Sequence, residues 1–495
     1  MSVDKVEDIA KRRGFFFPSA EIYGSMSGFY DYGHVGTLMK RKFENLWRKY
    51  FLALGENFYE IETPDIMPEG VFTASGHLKN FVDPVVRCAK CGHAVRADHV
   101  LEDVLKESFE GMAADELSSL IKQHHVKCEK CKGPLENVGT LTMMFPVSVG
   151  TGKEAKAYLR PETAQGAYVA FKRSFEHLRR QLPMGLAIIG KAYRNEISPR
   201  NALLRMRSFT QAELQIFFDP VTIHAHPDFA SVDSEKLRIL AAGHTKAADI
   251  SCGELAKKLP QFYVYYLAKI QQFYLNLLQL PRDVFRFREL GEEERAFYNK
   301  YHYDVQLELD GTWTEVGGLH YRTDHDLSGH ARVSKQPMDV SIEGKKFVPH
   351  VLEISTGVDR NILALLVLGY REEKERDLFS LPRAVAPFDV AVFPLVNREG
   401  MPEAARALWQ QLQGVYAAFY DDGGSVGRRY RRMDEIGVPL CITVDGDTLK
   451  NNTVTLRERD SMQQVRVRAD EVGIKIYRFM LGDDFASLGE PLTKE

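Results

Sequence analysis

The sequence lacks any run of 18 apolar residues, has few cysteines and carries no surplus of either charge. The first absence argues against a membrane-spanning helix, which needs about 20 apolar residues. Six cysteines in 495 residues are too sparse for a disulfide scaffold. Four of them form two Cys-x2-Cys pairs, so a metal and a reducing compartment are the simpler expectation. Basic residues number 65 against 68 acidic ones, so a nucleic-acid partner would have to be met by local basic patches. The first residues, MSVDKVEDIAKRRG, are charged and contain no apolar stretch, so no secretory signal is expected. No repeat or low-complexity tract is found. These absences predict a cytoplasmic protein without membrane or DNA partners.

What is present is ordinary for a soluble globular protein: 44% apolar and 27% charged residues, with length for two to four domains. Residues 38–54 predict an amphipathic helix, with Leu38, Phe43, Leu46, Trp47, Tyr50 and Leu54 at helical spacing. Residues 57–68 read as an extended segment ending in prolines. Residues 185–194 and 209–218 predict an antiparallel pair joined by an arginine-rich loop with Ser-Pro at 198–199. Residues 347–354 predict a strand running through Ser355-Thr356-Gly357 into a helix from about Asp359 to Tyr370. The charged stretch 371–377 reads as a linker. From 388 onward apolar strands alternate with helices, which predicts an α/β unit with parallel strands.

The block YRNEISPRNALLRMRSFTQAE, 193–213, is the richest in chemistry. Period-two alternation would put Arg194 and Glu196 on one face of a strand, and Arg205, Phe209 and Glu213 on one face of the return. Arginines can fork onto phosphate, an aromatic ring can stack on a base, and a carboxylate can hold an amino group. Alone, the block could be an exposed hairpin of solvated charges. A second block, EISTGVDR at 353–360, weighs against that. It places Arg360 in the first turn of a helix, where anions are favoured, and Glu353 where a hard oxygen ligand could meet Mg2+. The G-x-G-x-x-A text at 150–155 is set aside: Pro161 leaves no room for a long helix, and the phosphate-loop pattern fails.

Cys88-x2-Cys91 and Cys128-x2-Cys131 have the spacing of two knuckles around tetrahedral Zn2+, a structural site because four thiolates leave no open position. His93 and His99 are possible but unneeded substitutes. Cys252 and Cys441 read as isolated core thiols.

These residues carry a family resemblance. The 193–213 block resembles motif 2 of the class II aminoacyl-tRNA synthetases, 353–360 resembles motif 3, and the segment ending at Pro68 resembles motif 1. More narrowly, YRNEISPR (193–200), RPETAQG (160–166), MPEGVFTASGH (67–77) and SVGRRYRRMDEIGVP (425–439) resemble the homodimeric glycyl-tRNA synthetases, across nearly the whole chain. Tyr193, where Phe is commoner, and His34, where many relatives have Pro, are the departures.

The resemblance implies an α+β fold: a class II synthetase catalytic domain whose antiparallel sheet is flanked by helices, zinc-ribbon-like and helical insertions, and a C-terminal α/β anticodon-binding domain. The implied boundaries are a catalytic part at 1–81 with motif 1, a four-cysteine zinc module at 82–150, motif 2 at 151–220, a mostly helical insertion at 221–300, motif 3 and a linker at 301–383, and the anticodon-binding domain at 384–495. The implied activity is ATP-dependent attachment of glycine to tRNA(Gly) through glycyl-adenylate, with ATP, glycine and tRNA(Gly) as partners, Mg2+ as cofactor and a homodimer as the assembly. By similarity Arg194 and Arg360 are the catalytic arginines. Asn195, Glu196, Leu204, Arg205, Phe209, Glu315, Val316 and Gly357 join them at ATP, with Phe209 on adenine and Arg360 on the other face of the base. Glu162, Glu213, Glu353, Ser355, Thr356 and Arg96 would meet glycine. Glu315 and Glu353 would bind Mg2+. Arg428, Arg429, Tyr430, Arg431 and the neighbouring Arg432 would meet RNA. A class II enzyme for another amino acid, or a relative that kept the fold and lost the chemistry, are the rivals. The paired acids argue against the first and the intact motif arginines against the second.

Overall fold

The computed structural model describes residues 3–105, 109, 112–150, 156–197, 199, 202–296 and 298–492. The 150–155 text therefore lies mostly outside the described residues, as do Ser198 and Arg200 of the motif 2 loop. No helix among the described residues is long and apolar enough to cross a membrane.

The centre is a nine-stranded sheet. Its strands in chain order are β1 (Phe58–Glu60), β2 (Met184–Tyr193), β3 (Ser208–Phe218), β4 (Lys236–Leu240), β5 (Ala248–Ser251), β6 (Phe285–Glu289), β7 (Tyr301–Leu309), β8 (Thr312–Thr323) and β9 (His350–Gly357). Across the sheet they run β5-β4-β6-β7-β8-β9-β3-β2-β1. Only β1–β2 and β4–β6 are parallel pairs; the other neighbours are antiparallel.

Alternation along the strands decides how the two faces are covered. On the back face, Ala212, Leu214, Ile216 and Phe218 of β3 join one large core with α1 (His34–Phe51), α3 (Gln261–Gln272) and α5 (Val358–Gly369). The predicted helix near 38–54 is α1. It buries Val35, Met39, Phe43, Trp47 and Phe51, while Leu38, Leu46, Tyr50 and Leu54 flank that stripe. On the front face, Leu186, Ile188 and Phe217 pack under α2 (Ala164–His177) and Leu327 of α4 (His325–Ser334). These two helices cover only part of the front face, and the remainder is open as a cavity.

Two expectations are corrected here. The segment 221–300 is helical only in part. It supplies β4, β5 and β6, which extend the central sheet, while α3 packs behind it. The strands Lys236–Leu240 and Phe285–Glu289 alternate basic and apolar residues, a period-two signal masked by the helix formers between them. The charged stretch 371–377 is not a free linker. Tyr370–Glu372 and Asp377–Phe379 pair as a hairpin, and Arg376 is buried.

Residues 82–142 form a small module on strands Val82–Arg87, Ala94–Arg96 and Gly139–Thr142, with its own apolar cluster around Val86, Leu101 and Leu117. The C-terminal unit is a six-stranded sheet built from β10 (Val390–Pro394), β11 (Ala418–Tyr420), β12 (Leu440–Val444), β13 (Thr453–Glu458), β14 (Gln464–Arg468) and β15 (Glu490–Pro491), with α6 (Met401–Gln413), α7 (Val426–Ile436) and α8 (Val472–Met480). Parallel pairing is confined to β10, β11 and β12; β13, β14 and β15 continue antiparallel.

One face of this sheet has its own core, with Val390, Ile442, Leu456 and Ile476. The other contributes Ala391, Phe393 and Cys441, with Met433 and Ile436 of α7, to the same core as α1 and α5. A buried ionic knot adds to this join. Arg376 donates to Asp434 Oδ2 at 2.9 Å, and Arg457 donates to both oxygens of Asp434 at 2.9 and 3.1 Å.

Removing the shared carboxylate would take both charged bonds from the buried Arg457 and leave Arg376 with Glu373 as its carboxylate partner. Asp434→Ala is expected to cost about 3–5 kcal/mol of stability, read as a lowered denaturation midpoint. Arg376→Ala combined with it should cost clearly less than the sum of the two single changes.

Candidate functional site

The open part of the front face is a cavity of about 200 Å3 with two chemically distinct ends. At one end, acids gather around a single guanidinium. Arg322 of β8, 2% exposed, donates to Asp326 at 2.8 and 3.1 Å and to Glu353 Oε2 at 3.0 Å, and its Nη2 lies 3.5 Å from Glu162 Oε1. Glu353 comes from β9, Glu162 from the residues before α2, and Asp326 from the first turn of α4. Glu162 also accepts from Gln165 at 2.8 Å and lies 3.5 Å from His77 Nε2. Glu353 accepts from Gln215 and Tyr168 as well, at 3.1 and 3.3 Å. Glu213 of β3 accepts from Thr163 Oγ1 at 2.6 Å and Ser355 Oγ at 3.3 Å.

The charges do not balance. Burial would raise the Glu162 carboxyl, but Arg322 and His77 outweigh it and hold it well below the usual range. Burial pushes Glu213 up to about 8, and repulsion from Glu353 and Glu162 adds to the effect. Glu353 is likewise raised by burial, against the pull of Arg322. The chamber thus gathers four carboxyls, Glu162, Glu213, Asp326 and Glu353, about one guanidinium, and an arriving cation would offset part of that excess. Position 317 needs glycine where β8 meets β9: a Cβ there would lie 2.5 Å from the Ser355 carbonyl oxygen.

At the other end Arg194, Arg205 and Arg360 all line the same cavity, with Glu196, Leu204, Phe209, Glu315, Val316 and Gly357. Arg205 Nε donates to Glu196 at 2.8 Å, and Arg360 Nη1 lies 3.2 Å from Glu315 Oε2. Arg194 stacks its guanidinium 5.2 Å from the Phe209 ring and 5.4 Å from the Phe81 ring, and donates to the Pro161 carbonyl at 3.1 Å. Separate segments thus converge here: the motif 2 loop, β8, and the β9–α5 junction.

Several expected placements differ. β2 stops at Tyr193, so Arg194 and Glu196 lie in the loop beyond it, and Arg205 precedes β3. They reach the cavity by loop geometry instead of strand alternation. Phe209 and Glu213 do share a strand face. Asn195 does not line the cavity; its N–H donates to the Met143 carbonyl at 2.8 Å. Thr356 points to the back face, where its hydroxyl accepts from Trp47 Nε1 at 3.1 Å, because it alternates with Ser355. The cation over Phe209 is Arg194, while Arg360 is drawn to the Leu204 carbonyl and to Glu315. Arg96 is not at the cavity: it binds Asp98 Oδ1 at 3.1 Å and lies 3.2 Å from Asp83, within the cysteine module. Glu315 and Glu353 stand at different ends of the cavity, so Mg2+ at each would be a separate ion. Glu353 pairs with His320, five residues along β8 from Glu315, roughly 15 Å of strand, whereas Mg2+ takes ligands at about 2.1 Å.

Sequence reading missed Arg322, Asp326, His77 and Thr163. The cue for Arg322 was available: His320 and Arg322 alternate onto one face of a strand that also carries Gly318.

The four cysteine sulfurs all lie within 4.8 Å of one another, with Cys88–Cys131 at 3.5 Å and Cys91–Cys128 at 3.7 Å. Four sulfurs about 2.3 Å from a tetrahedral Zn2+ stand roughly 3.8 Å apart, so the cluster fits that ion. Desolvation would raise the Cys88 thiol, but the backbone N–H groups of Cys91 and Lys90 help to bring it down to about 6. His93 is paired with Glu129 at 3.0 Å.

In the C-terminal unit the basic cluster divides. Arg429 is buried on the Met433 and Ile436 face of α7 and donates to the carbonyls of Pro394, Asp422 and Gly424. Its role there is to hold loops. Tyr430 bonds Thr443 at 2.6 Å and packs on Phe393, so its ring is not a free stacking platform. Arg432 pairs with Asp421 at 2.6 Å. Arg428 and Arg431 are exposed.

Comparison with known proteins agrees with this construction. The family model "tRNA synthetase class II core domain (G, H, P, S and T)" matches residues 147–228, and "Anticodon binding domain" matches 389–477. Among solved structures, prolyl-tRNA synthetase from Cryptosporidium parvum complexed with L-proline and AMP superposes with a TM-score of 0.59 at 12% identity, over 97% of this chain and 75% of that one; the likeness is one of fold. The antiparallel sheet, its arginine-lined cavity and the second α/β unit define a class II aminoacyl-tRNA synthetase. Glycine--tRNA ligases from Pyrococcus furiosus, Aeropyrum pernix and Methanococcus vannielii are 38%, 37% and 36% identical, covering 97%, 99% and 95% of this chain and 100%, 99% and 98% of their own lengths. The chain belongs to the glycine--tRNA ligase family.

The raised Glu213 carboxyl gives a pH dependence with a definite sign. An ammonium ligand needs the carboxylate, so binding must expel the proton held below about pH 8. The dissociation constant for glycine is expected to fall about tenfold per pH unit between pH 6 and 7 and to level off near pH 8. Calorimetry in buffers of differing ionisation enthalpy should record a proton released on binding, and a pH-independent affinity would contradict this charge balance.

Proposed function

We propose that this chain attaches glycine to tRNA(Gly) at the cavity on the front of the sheet, through glycyl-adenylate. The observation that carries the reading is the meeting of three arginines, distant in sequence, beside a small chamber in which carboxyls outnumber cations. In the first step the glycine carboxylate attacks the α-phosphorus of ATP, the bond to the β-phosphate breaks, and diphosphate leaves. No general base is needed, because the attacking carboxylate is already ionised. Catalysis then rests on positioning and on charge stabilisation. Arg194 holds the α-phosphate, where charge grows. Arg205 and Arg360 hold the outer phosphates after giving up Glu196 and Glu315. Phe209 stacks on adenine. In the second step the terminal ribose hydroxyl of tRNA attacks the adenylate carbonyl and AMP leaves.

Selectivity follows from the acidic end. Glu162, Glu213 and Glu353 around Arg322 leave room and charge for one ammonium, with Ser355 beside the α-carbon. A β-methyl must clash there, and glycine has no smaller rival, so steric exclusion suffices without an editing site. Mg2+ would neutralise the phosphates, and Glu315 is a carboxylate available at the arginine end. Zn2+ would be held by Cys88, Cys91, Cys128 and Cys131 as a structural ion. Arg428 and Arg431, exposed on α7, are the side chains of the basic cluster free to meet RNA phosphates.

A homodimer is supported by the edge of the sheet at β1, where Tyr59 is 46% exposed and the nearby Ile66 43% exposed. Such apolar exposure on an edge strand calls for a cover. The cytoplasm fits the paired free thiols and the tRNA partner.

Diphosphate exchange into ATP should be strong with glycine and weak with alanine or serine; comparable stimulation by alanine would remove the specificity claim. Glu213→Ala is expected to lower kcat/KM for glycine about 10–100-fold, the cost of a charged hydrogen bond, with little change in melting temperature. Elemental analysis should find one zinc per chain, lost in a Cys88→Ser, Cys131→Ser double variant.

A further inference from the structure

Phe81 stands at the root of the cysteine module, outside every role assigned above. Its ring lies 5.4 Å from the Arg194 guanidinium, on which Phe209 also packs at 5.2 Å. A planar, weakly hydrated guanidinium suits the faces of aromatic rings. The two rings, with the bond to the Pro161 carbonyl, orient Arg194.

The backbone ties the same residues together. The Phe81 N–H donates to the His77 carbonyl at 2.9 Å, Met143 N–H donates to the Phe81 carbonyl at 3.1 Å, and Asn195 N–H donates to the Met143 carbonyl at 2.8 Å. The loop that carries Arg194 is thus bonded through Met143 to Phe81. From there Val82–Arg87 pairs with Gly139–Thr142 and leads to Cys88. The two chain segments that leave the catalytic domain for the module are the same two that grip the motif 2 loop. His77, one helical turn before Phe81, packs on its ring at 5.6 Å and reaches Glu162 at 3.5 Å, so the same short segment touches both ends of the cavity.

We propose that Phe81 is a positioning residue for Arg194 in glycine activation, and that the cysteine module thereby acts on the step that precedes tRNA. This rests on the functional reading above. Phe209 is there assigned to adenine, and once a base occupies that ring, Phe81 is the aromatic face left to hold Arg194.

Phe81→Leu keeps apolar bulk and removes the ring, whereas Phe81→Tyr keeps the ring. Initial rates of glycine-dependent diphosphate exchange, without tRNA, are measured over ATP and glycine. The Leu variant is expected to lose about tenfold in kcat while its KM for glycine stays within twofold, and the Tyr variant to stay within twofold of wild type. In an Arg194→Gln background the Leu change should add less than twofold. Wild-type exchange by the Leu variant, or an equal tenfold loss in both backgrounds, would overturn the proposal. A wild-type protein that fails to exchange with glycine would sink the functional reading itself, whereas active wild type with an unaffected Leu variant removes only the role of Phe81.

Discussion

The guanidinium of Arg322 is the charge on which the rest of the site depends. Buried between Asp326, Glu353 and Glu162, it lets carboxylates stand together in a space where their mutual repulsion and desolvation would otherwise force protons onto them. It cannot serve all of them. Glu213, bonded only to hydroxyls in the contacts described above, is left for whatever cation arrives. A structural ion pair and a binding preference therefore have one origin: the chamber is stabilised incompletely, and its ligand supplies the remainder.

The fold delivers those groups economically. Because α2 and α4 cover only part of the front face, their first turns and the residues just before α2 come to rest at the rim of the uncovered part. Thr163, Glu162 and Asp326 are therefore delivered by helix starts, and Glu213, Arg322 and Glu353 by strands. Rigid elements build the acidic end, where a small substrate must be measured. Loops carry Arg194 and Arg205, at the end where a larger and more flexible one must be gripped. Their resting partners, Glu196 and the Phe209 ring, keep them near their working positions.

Much of this was legible in the sequence. The strand–loop–strand of motif 2, the helix α1, the β9–α5 junction and the cysteine pairs announced themselves through period, turn residues and spacing. What failed did so for physical reasons. Arg194 and Arg205 were put on strands, but the strands end before them and the loop does the converging. The helix formers at 254–280 hid short strands on either side, so an extension of the sheet looked like a helical insertion. Arg429 looked like part of an RNA-binding run, yet Met433 and Ile436, four and seven residues on, mark its side of α7 as the buried one. Alternation puts Arg322 on one face with His320, but nothing in the sequence says that Glu162 and Glu353, from distant segments, will join the neighbouring Asp326 around it.

The shared core between the sheet of the C-terminal unit and the helices behind the catalytic sheet has a practical meaning. Phe393, Met433 and Cys441 lie in the same apolar cluster as Trp47 and Leu366, and Asp434 anchors Arg376 across that join. The C-terminal unit is therefore not a cassette. A chimaera that grafts it onto another synthetase, or a truncation that deletes it, exposes an apolar wound on both pieces. Exchange of tRNA preference between enzymes of this build would have to be engineered on the outer side of α7, leaving its inner side untouched.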